Sequence, residues 1–303
     1  MSLEADYVVD RRRLKRRLSF WRILAIVILA ILFITSITNF KMNSTGDHIA
    51  RLSVTGLIID DIEREHALKN LKDDEEILAL IVRIDSPGGT VVGGENLYHQ
   101  LKDLGQNKPV VAVMGSTATS AGYMIALGAD HLIAREGSLT GSIGVLLQTA
   151  DITSLLEKVG IKPEIIKSGP LKAQPNPFEK TTQAARGAIE SVVMDMYAMF
   201  VDIVAERRKM SPEAVRALAD GRVYSGRQAL ANGLIDAIGG EDEAIDWLLE
   251  TGKIPPDLSV KDVIIDRPGQ GWRRFINSLV GKALFSESLS LDGLFPLWQS
   301  KVW

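Results

Sequence analysis

Residues 77–85, ILALIVRID, form an apolar run without polar alternation. Such a run suits a strand buried on both faces, the habit of parallel sheets covered by helices. Around it, strand-like and helix-like stretches alternate. IARLSVTGLI (Ile49–Ile58) reads as a strand and DIEREHALKNL as a polar-faced helix. GGENLYHQLKDL reads as a helix, PVVAVM (Pro109–Met114) as a strand, and TATSAGYMIAL (Thr117–Leu127) as the start of another helix. HLIAR and GSIGVLL supply further strands, DITSLLEKVG a helix and PEIIKSG a strand. This alternation predicts an α/β domain with mainly parallel strands and right-handed crossovers. From Thr181 the pattern turns helical: one long amphipathic helix, then SPEAVRALAD opened by Ser211 and Pro212, then SGRQALANGLID and GGEDEAIDWLLE.

The chain begins differently. RRRLKRR (Arg11–Arg17) precedes an apolar stretch from Trp21 to Thr38. At about 1.5 Å per residue, Ile23 to Asn39 covers most of a ~30 Å hydrocarbon core. Basic residues before the span place the N-terminus in the cytoplasm and the rest of the chain outside it. Ser36 and Thr38 make a poor cleavage site, so the stretch reads as a retained anchor. The predicted organisation is a basic cytoplasmic segment (1–20), a transmembrane anchor (21–38), a linker (39–48), a globular domain (49–250) and an aromatic-rich tail (251–303).

With 303 residues and a formal charge of −3, the chain has material for a large core and no basic excess suited to nucleic acid. The absence of cysteine excludes disulfides and thiolate chemistry. EREH (Glu63–His66) lacks the spacing of a zinc-binding helix, and DDEE (Asp73–Glu76) suits a solvated face, so no metal or cofactor is expected.

Two loops carry the chemistry. Ser120 stands at a strand-to-helix junction among alanine, glycine and threonine, where helix N–H groups favour developing negative charge. A serine there is most often only a helix cap. DSPGG (Asp85–Gly89) closes a buried strand, and its glycines can turn backbone N–H groups toward a carbonyl oxygen. A base is harder to find. A Ser–His–Asp triad requires Asp130–His131 to fold back on Ser120. Otherwise Lys167 or Lys172, in IIKSGPLKAQPNPF, supplies an amine whose pKa falls out of water. The residues alone do not choose between them.

DSPGG, TSAGYMIALGAD, LTGSIGVL, IKSGPLKA and DGRVYSGRQALANGLID occur in this order. Together they resemble the S49 serine peptidases of the signal peptide peptidase A type, in their short, single-module form, over roughly residues 49–250. The resemblance implies a ClpP/crotonase-like fold of repeated β-β-α units with a helical extension. It implies a Ser–Lys dyad of Ser120 as nucleophile and Lys172 as base. Ser142 would orient the amine, and the N–H groups of Gly88 and Ala121 would form the oxyanion hole. It further implies signal peptides and other apolar peptides as substrates, a bacterial inner-membrane location with an extracytoplasmic catalytic domain, and a homo-oligomeric dome or ring with dyad partners meeting across subunits. This chain has Ala121 where the family usually has glycine, and Ala173 where many members have a polar residue. Competing expectations are a crotonase-type acyl-thioester enzyme and a catalytically silent membrane scaffold.

Overall fold

The computed structural model describes residues 17–31, 46–251, 254–265 and 267. The chain divides into two units, Met1–Asp47 and His48–Trp303. In the first, residues 17–31 form an exposed helix, α1, in which the rings of Phe20 and Trp21 meet edge to face at 6.1 Å. The expected span from Trp21 to Thr38 is therefore helical as far as residue 31, and its remainder lies outside the described residues. Among the described residues no helix is long and apolar enough to cross a membrane. The aromatic tail from Trp272 also lies outside them.

The second unit is built on one eight-stranded sheet. Its strands are β1 (His48–Ile58), β2 (Ile77–Gly89), β3 (Val110–Thr119), β4 (His131–Ala134), β5 (Leu139–Gly141), β6 (Val223–Ser225), β7 (Ala237–Ile238) and β8 (Ser259–Asp262). The main path runs β6-β5-β3-β2-β1-β8, with β4 on the first half of β3 and β7 on β4. All pairings are parallel except β5–β6. The sheet is thus mixed and the fold α/β.

β2 explains the layering. Leu80, Val82 and Ile84 enter the larger core under helices α3 (Val91–Leu104), α4 (Ala121–Ala126) and α6 (Gln183–Arg208). Ala79 and Ile81 enter a smaller core with Ala244 and Leu248 of α9 (Glu241–Glu250). Each fully buried aliphatic side chain contributes about 1.5–3 kcal/mol, so an uninterrupted apolar strand is stable only when covered on both sides. The remaining helices are α2 (Ile62–Asp73), α5 (Thr153–Lys158), α7 (Pro212–Leu218) and α8 (Gly226–Ala231). Ser211 caps α7, accepting from Ala214 N–H at 3.2 Å, with Pro212 at its first position.

Three differences from the sequence reading have physical causes. GSIGVLL is not a strand: β5 stops at Gly141 because Gly141 (φ 78°) and Ser142 (φ 51°) leave the extended region. PEIIKSG is not a strand either, since no neighbour pairs with it and Ile166 stays 92% exposed. Conversely, β8 lies beyond residue 250 yet pairs with β1, adding a strand that its polar sequence, SVKD, did not announce.

Candidate active site

β3 forks where its partners change. Val111–Met114 pair with β4, Thr117–Thr119 pair with β5, and the register with β2 shifts between Ile84 and Ser86. The bend aims the end of β3 at the end of β2, and Ser120 follows at once. Its backbone has φ 54° and ψ −122°, a conformation costing a non-glycine residue on the order of 1–3 kcal/mol. The surroundings impose it. Ser120 N–H donates to Gly141 O at 2.9 Å, and Ser120 O accepts from Met124 N–H at 3.0 Å. All six residues of α4 behind it are buried. The side chain makes no capping bond, so the hydroxyl of this half-buried serine is not committed to the helix.

The DSPGG turn presses on this point. Gly88 has φ 115°, and a Cβ there would lie 2.9 Å from Ser120 Cβ, 3.1 Å from Thr119 O and 3.3 Å from Ala121 N. Thr119 Oγ1 donates to Pro87 O at 3.0 Å, fastening the two loops together. Gly88 and Ala121 therefore flank Ser120. Ala121 is not among the positive-φ residues, so alanine replaces glycine there without backbone strain. Its methyl is close to α3: a Cβ on Gly94 would come within 2.9 Å of Ala121 Cβ. As the first residue of α4, Ala121 has an N–H with no intrahelical acceptor.

The Gly88 N–H has a partner that sequence reasoning missed. It donates to Ser86 Oγ at 3.1 Å, while the fully buried Ser86 hydroxyl donates to Gly56 O at 2.6 Å. The one available signal was a serine in the turn itself, at a position the sheet buries. Ser142 is one residue beyond the carbonyl that holds Ser120 N–H, and its own N–H donates to Arg222 O at 2.9 Å.

Ser120, Gly88, Ala121 and Ser142 thus come together through backbone contacts. Lys172 makes no such contact among the described residues. It is exposed in a turn over residues 170–173, with its N–H on Gly169 O at 3.2 Å, and among the described residues no hydrogen bond joins it to Ser120 or Ser142. Lys167 is committed elsewhere: its largely buried amine pairs with Glu179, which Gln174 and Asn176 also contact. That bond to Lys167 leads the causes holding the Glu179 carboxyl below its usual range.

The alternative triad is overturned. His131 pairs with Val111 at the opposite end of β3, nine residues before Ser120, and at about 3.3 Å per residue that is on the order of 30 Å of strand. Its ring stacks on Trp247 at 4.7 Å, and burial holds its pKa below the usual histidine range. Asp130 accepts from Val110 N–H at 2.9 Å instead.

Comparison with known proteins agrees with the ordered motifs. Residues 102–254 match the profile of Peptidase family S49. A candidate protease of Synechocystis sp. is 41% identical over 225 residues, which cover 74% of this chain and 81% of that protein. A candidate signal peptide peptidase SppA of Enterococcus faecium is 35% identical over 230 residues, covering 71% and 67% respectively. Among solved structures, a mutant of a membrane-bound stomatin-specific protease aligns with a TM-score of 0.49 and 15% identity, over 73% of this chain and 100% of that one. On the profile match and the length of the shared segments, the chain belongs to peptidase family S49.

Proposed function

We propose that this chain is a serine endopeptidase in which Ser120 is the nucleophile and Lys172 the general base. The observation that carries the reading is the uncapped, positive-φ Ser120 wedged against the Gly88 backbone. Folding maintains such a conformation only where the surrounding structure over-determines it. Here it leaves the Ser120 hydroxyl without a capping bond beside the Gly88 backbone.

In the proposed reaction, Ser120 Oγ attacks the scissile carbonyl as its proton passes to the amine of Lys172. Ser142 orients that amine. The oxyanion is received by the N–H groups of Gly88 and Ala121, the substrate oxygen competing with the Ser86 hydroxyl for the first. The Lys172 ammonium then protonates the leaving amine, and water attacks the acyl-enzyme with the same lysine as base.

The exposed position of Lys172 suits an assembly in which a neighbouring copy completes the site. Exposed apolar side chains such as Leu146, Leu171 and Phe178 suit burial in such a homo-oligomer. With residues 21–38 as anchor, the N-terminus is cytoplasmic and the catalytic unit lies outside the bacterial inner membrane. Anchoring raises the local concentration of apolar peptides that partition into lipid, and remnant signal peptides are the substrate class that fits. The fold reading extends to the ClpP/crotonase group.

The test is labelling of the full chain by a serine-directed fluorophosphonate. Wild type is expected to label and to cleave apolar peptides, whereas Ser120→Ala does neither and keeps its thermal midpoint. Labelling that persists in Ser120→Ala overturns the assignment.

A further inference from the structure

The face of the sheet that carries α9 is only half covered. Ile81, Val111, Val113 and Ile133 pack beneath the helix, but toward the carboxyl ends of the strands the apolar residues give way to Arg83, Asp85 and Gly115. A cleft of about 510 Å³ opens there, lined by Arg83, Asp85, Gly115, Ser116, Arg135 and Glu241. Carboxyl ends of parallel strands are where open α/β sheets receive ligands. The cleft shares none of the candidate dyad or oxyanion residues, although Asp85 stands next to Ser86 in sequence.

Its charges are unevenly satisfied. Glu241 is paired with Arg51 at 2.7 Å, and Asp85 Oδ1 accepts from Thr117 N–H at 3.1 Å. Asp262 and Glu243, whose carboxylates sense the charges of Arg83 and Arg135, are bonded to Arg51 and to Gly240 N–H. The two arginines are not paired in this way. Among the described residues neither Arg83 nor Arg135 enters an ion pair, and both are exposed.

Both arginines line this one cleft. Arg83 lies opposite Val113 on β3, and Arg135 follows Ala134, which pairs with Met114. The two backbones flank β3 at about 10 Å from each other, two strand spacings. Between them Gly115 leaves room for the Asp85 carboxyl, since a Cβ there would sit 3.0 Å from Asp85 Cγ. Ser138 pins the far wall, donating to Gly115 O at 2.6 Å and accepting from Arg135 N–H at 3.1 Å. Two guanidinium groups without ion pairs in one cleft suit a carboxylate, which takes paired N–H donors. The carboxylates of Asp85, against Gly115, and of Glu241 disfavour a dianion such as phosphate.

We propose that this cleft is a second peptide site, in which Arg83 and Arg135 hold the C-terminal carboxylate of a short peptide. The identity of that peptide as a cleavage product rests on the peptidase reading, and the binding does not. Each cleavage by a peptidase creates a new C-terminal carboxylate, so the proposed activity itself generates the ligand.

The experiment is calorimetric titration of the full chain carrying Ser120→Ala, with acetyl-trialanine, its C-terminal amide and inorganic phosphate as probes. The acid is expected to bind, and the amide about tenfold more weakly or not at all. Arg83→Gln and Arg135→Gln are each expected to weaken the acid about tenfold while keeping the parent thermal midpoint. If one variant misfolds, the other decides. The proposal is overturned if acid and amide bind alike, if neither variant changes the affinity, if phosphate binds more tightly than the acid, or if nothing binds. Labelling at Ser120 in the otherwise unmodified chain separates the two readings. A chain that labels but ignores the acid loses this site alone, and one that binds the acid but does not label loses the peptidase assignment alone.

Discussion

The segment that holds Ser120 and the one that holds Lys172 are built on opposite principles. Residues 110–134 are mostly buried, and the sheet and α4 dictate the backbone of Ser120 down to its unfavourable φ. From residue 144 to 180 no residue is buried, the only regular element is the six-residue α5, and Leu146 and Ile166 are 80% and 92% exposed. A nucleophile embedded in a core is preorganised by folding alone. A base on an unburied segment takes its position from whatever that segment packs against. In the proposed enzyme, chemistry therefore depends on folding for one half of the dyad and on assembly for the other.

The sharpest way to break this contrast is to exchange the two lysines. Lys172→Met is expected to lower kcat/KM for an apolar peptide at least about 10³-fold with unchanged stability. Lys167→Met is expected to keep substantial activity, because its amine serves Glu179. A dead Lys167→Met enzyme beside an active Lys172→Met enzyme reverses the assignment.

On the rigid side, Gly88→Ala is expected to cost about 10²–10³ in kcat. The added methyl would lie 2.9 Å from Ser120 Cβ at a φ of 115° that alanine resists. Single-turnover rates measure it, and a near-normal rate would show that Gly88 does not bound the oxyanion position.

A smaller effect tests how α4 is held. Arg207 of α6 donates to Leu127 O and Ala129 O, both at 2.7 Å, at the C-terminal end of α4. Arg207→Ala is expected to lower unfolding stability by about 2–3 kcal/mol. Urea denaturation reads this directly. No change would mean that α4 is held by its apolar packing alone.

The smallest effect is acid sensitivity at the far end of the sheet. Burial depresses the His131 pKa in the folded chain, so the unfolded chain takes up the proton first. The contribution is present above about pH 6.5 and is lost as pH falls from there through the lower folded value. Asp236 adds a loss at more acid pH: burial raises its pKa, but Arg208, the Leu132 N–H and His131 together outweigh that and hold the carboxyl low. Urea midpoints at two pH values should show wild type weakening on acidification and His131→Gln weakening less.

Most of the sheet and its helices were legible in the sequence because their signal is local. β1, β2, β4, α3, α6 and α9 each bury a face whose periodicity lies within one stretch of chain. The candidate site was half legible. Ser120 and Gly88 stand at strand ends where chain polarity and glycine content are visible. Ser86 was not, because only the register of β1 against β2 brings its hydroxyl to Gly56 O. Nor was β8, since a short polar strand is recognised only by its partner.

By itself, the order of residues determined an α/β domain, a serine at a strand-to-helix junction, and a glycine turn to stand near it, since hydrophobic period and turn chemistry act over a few neighbouring residues. Tertiary structure alone decided that the Ser120 hydroxyl caps nothing, that His131 lies at the wrong end of β3, that Lys167 belongs to Glu179, and that Arg83 and Arg135 face one cleft. Each of these depends on which strands become neighbours and in what register, and that choice is made by the packing of the whole sheet.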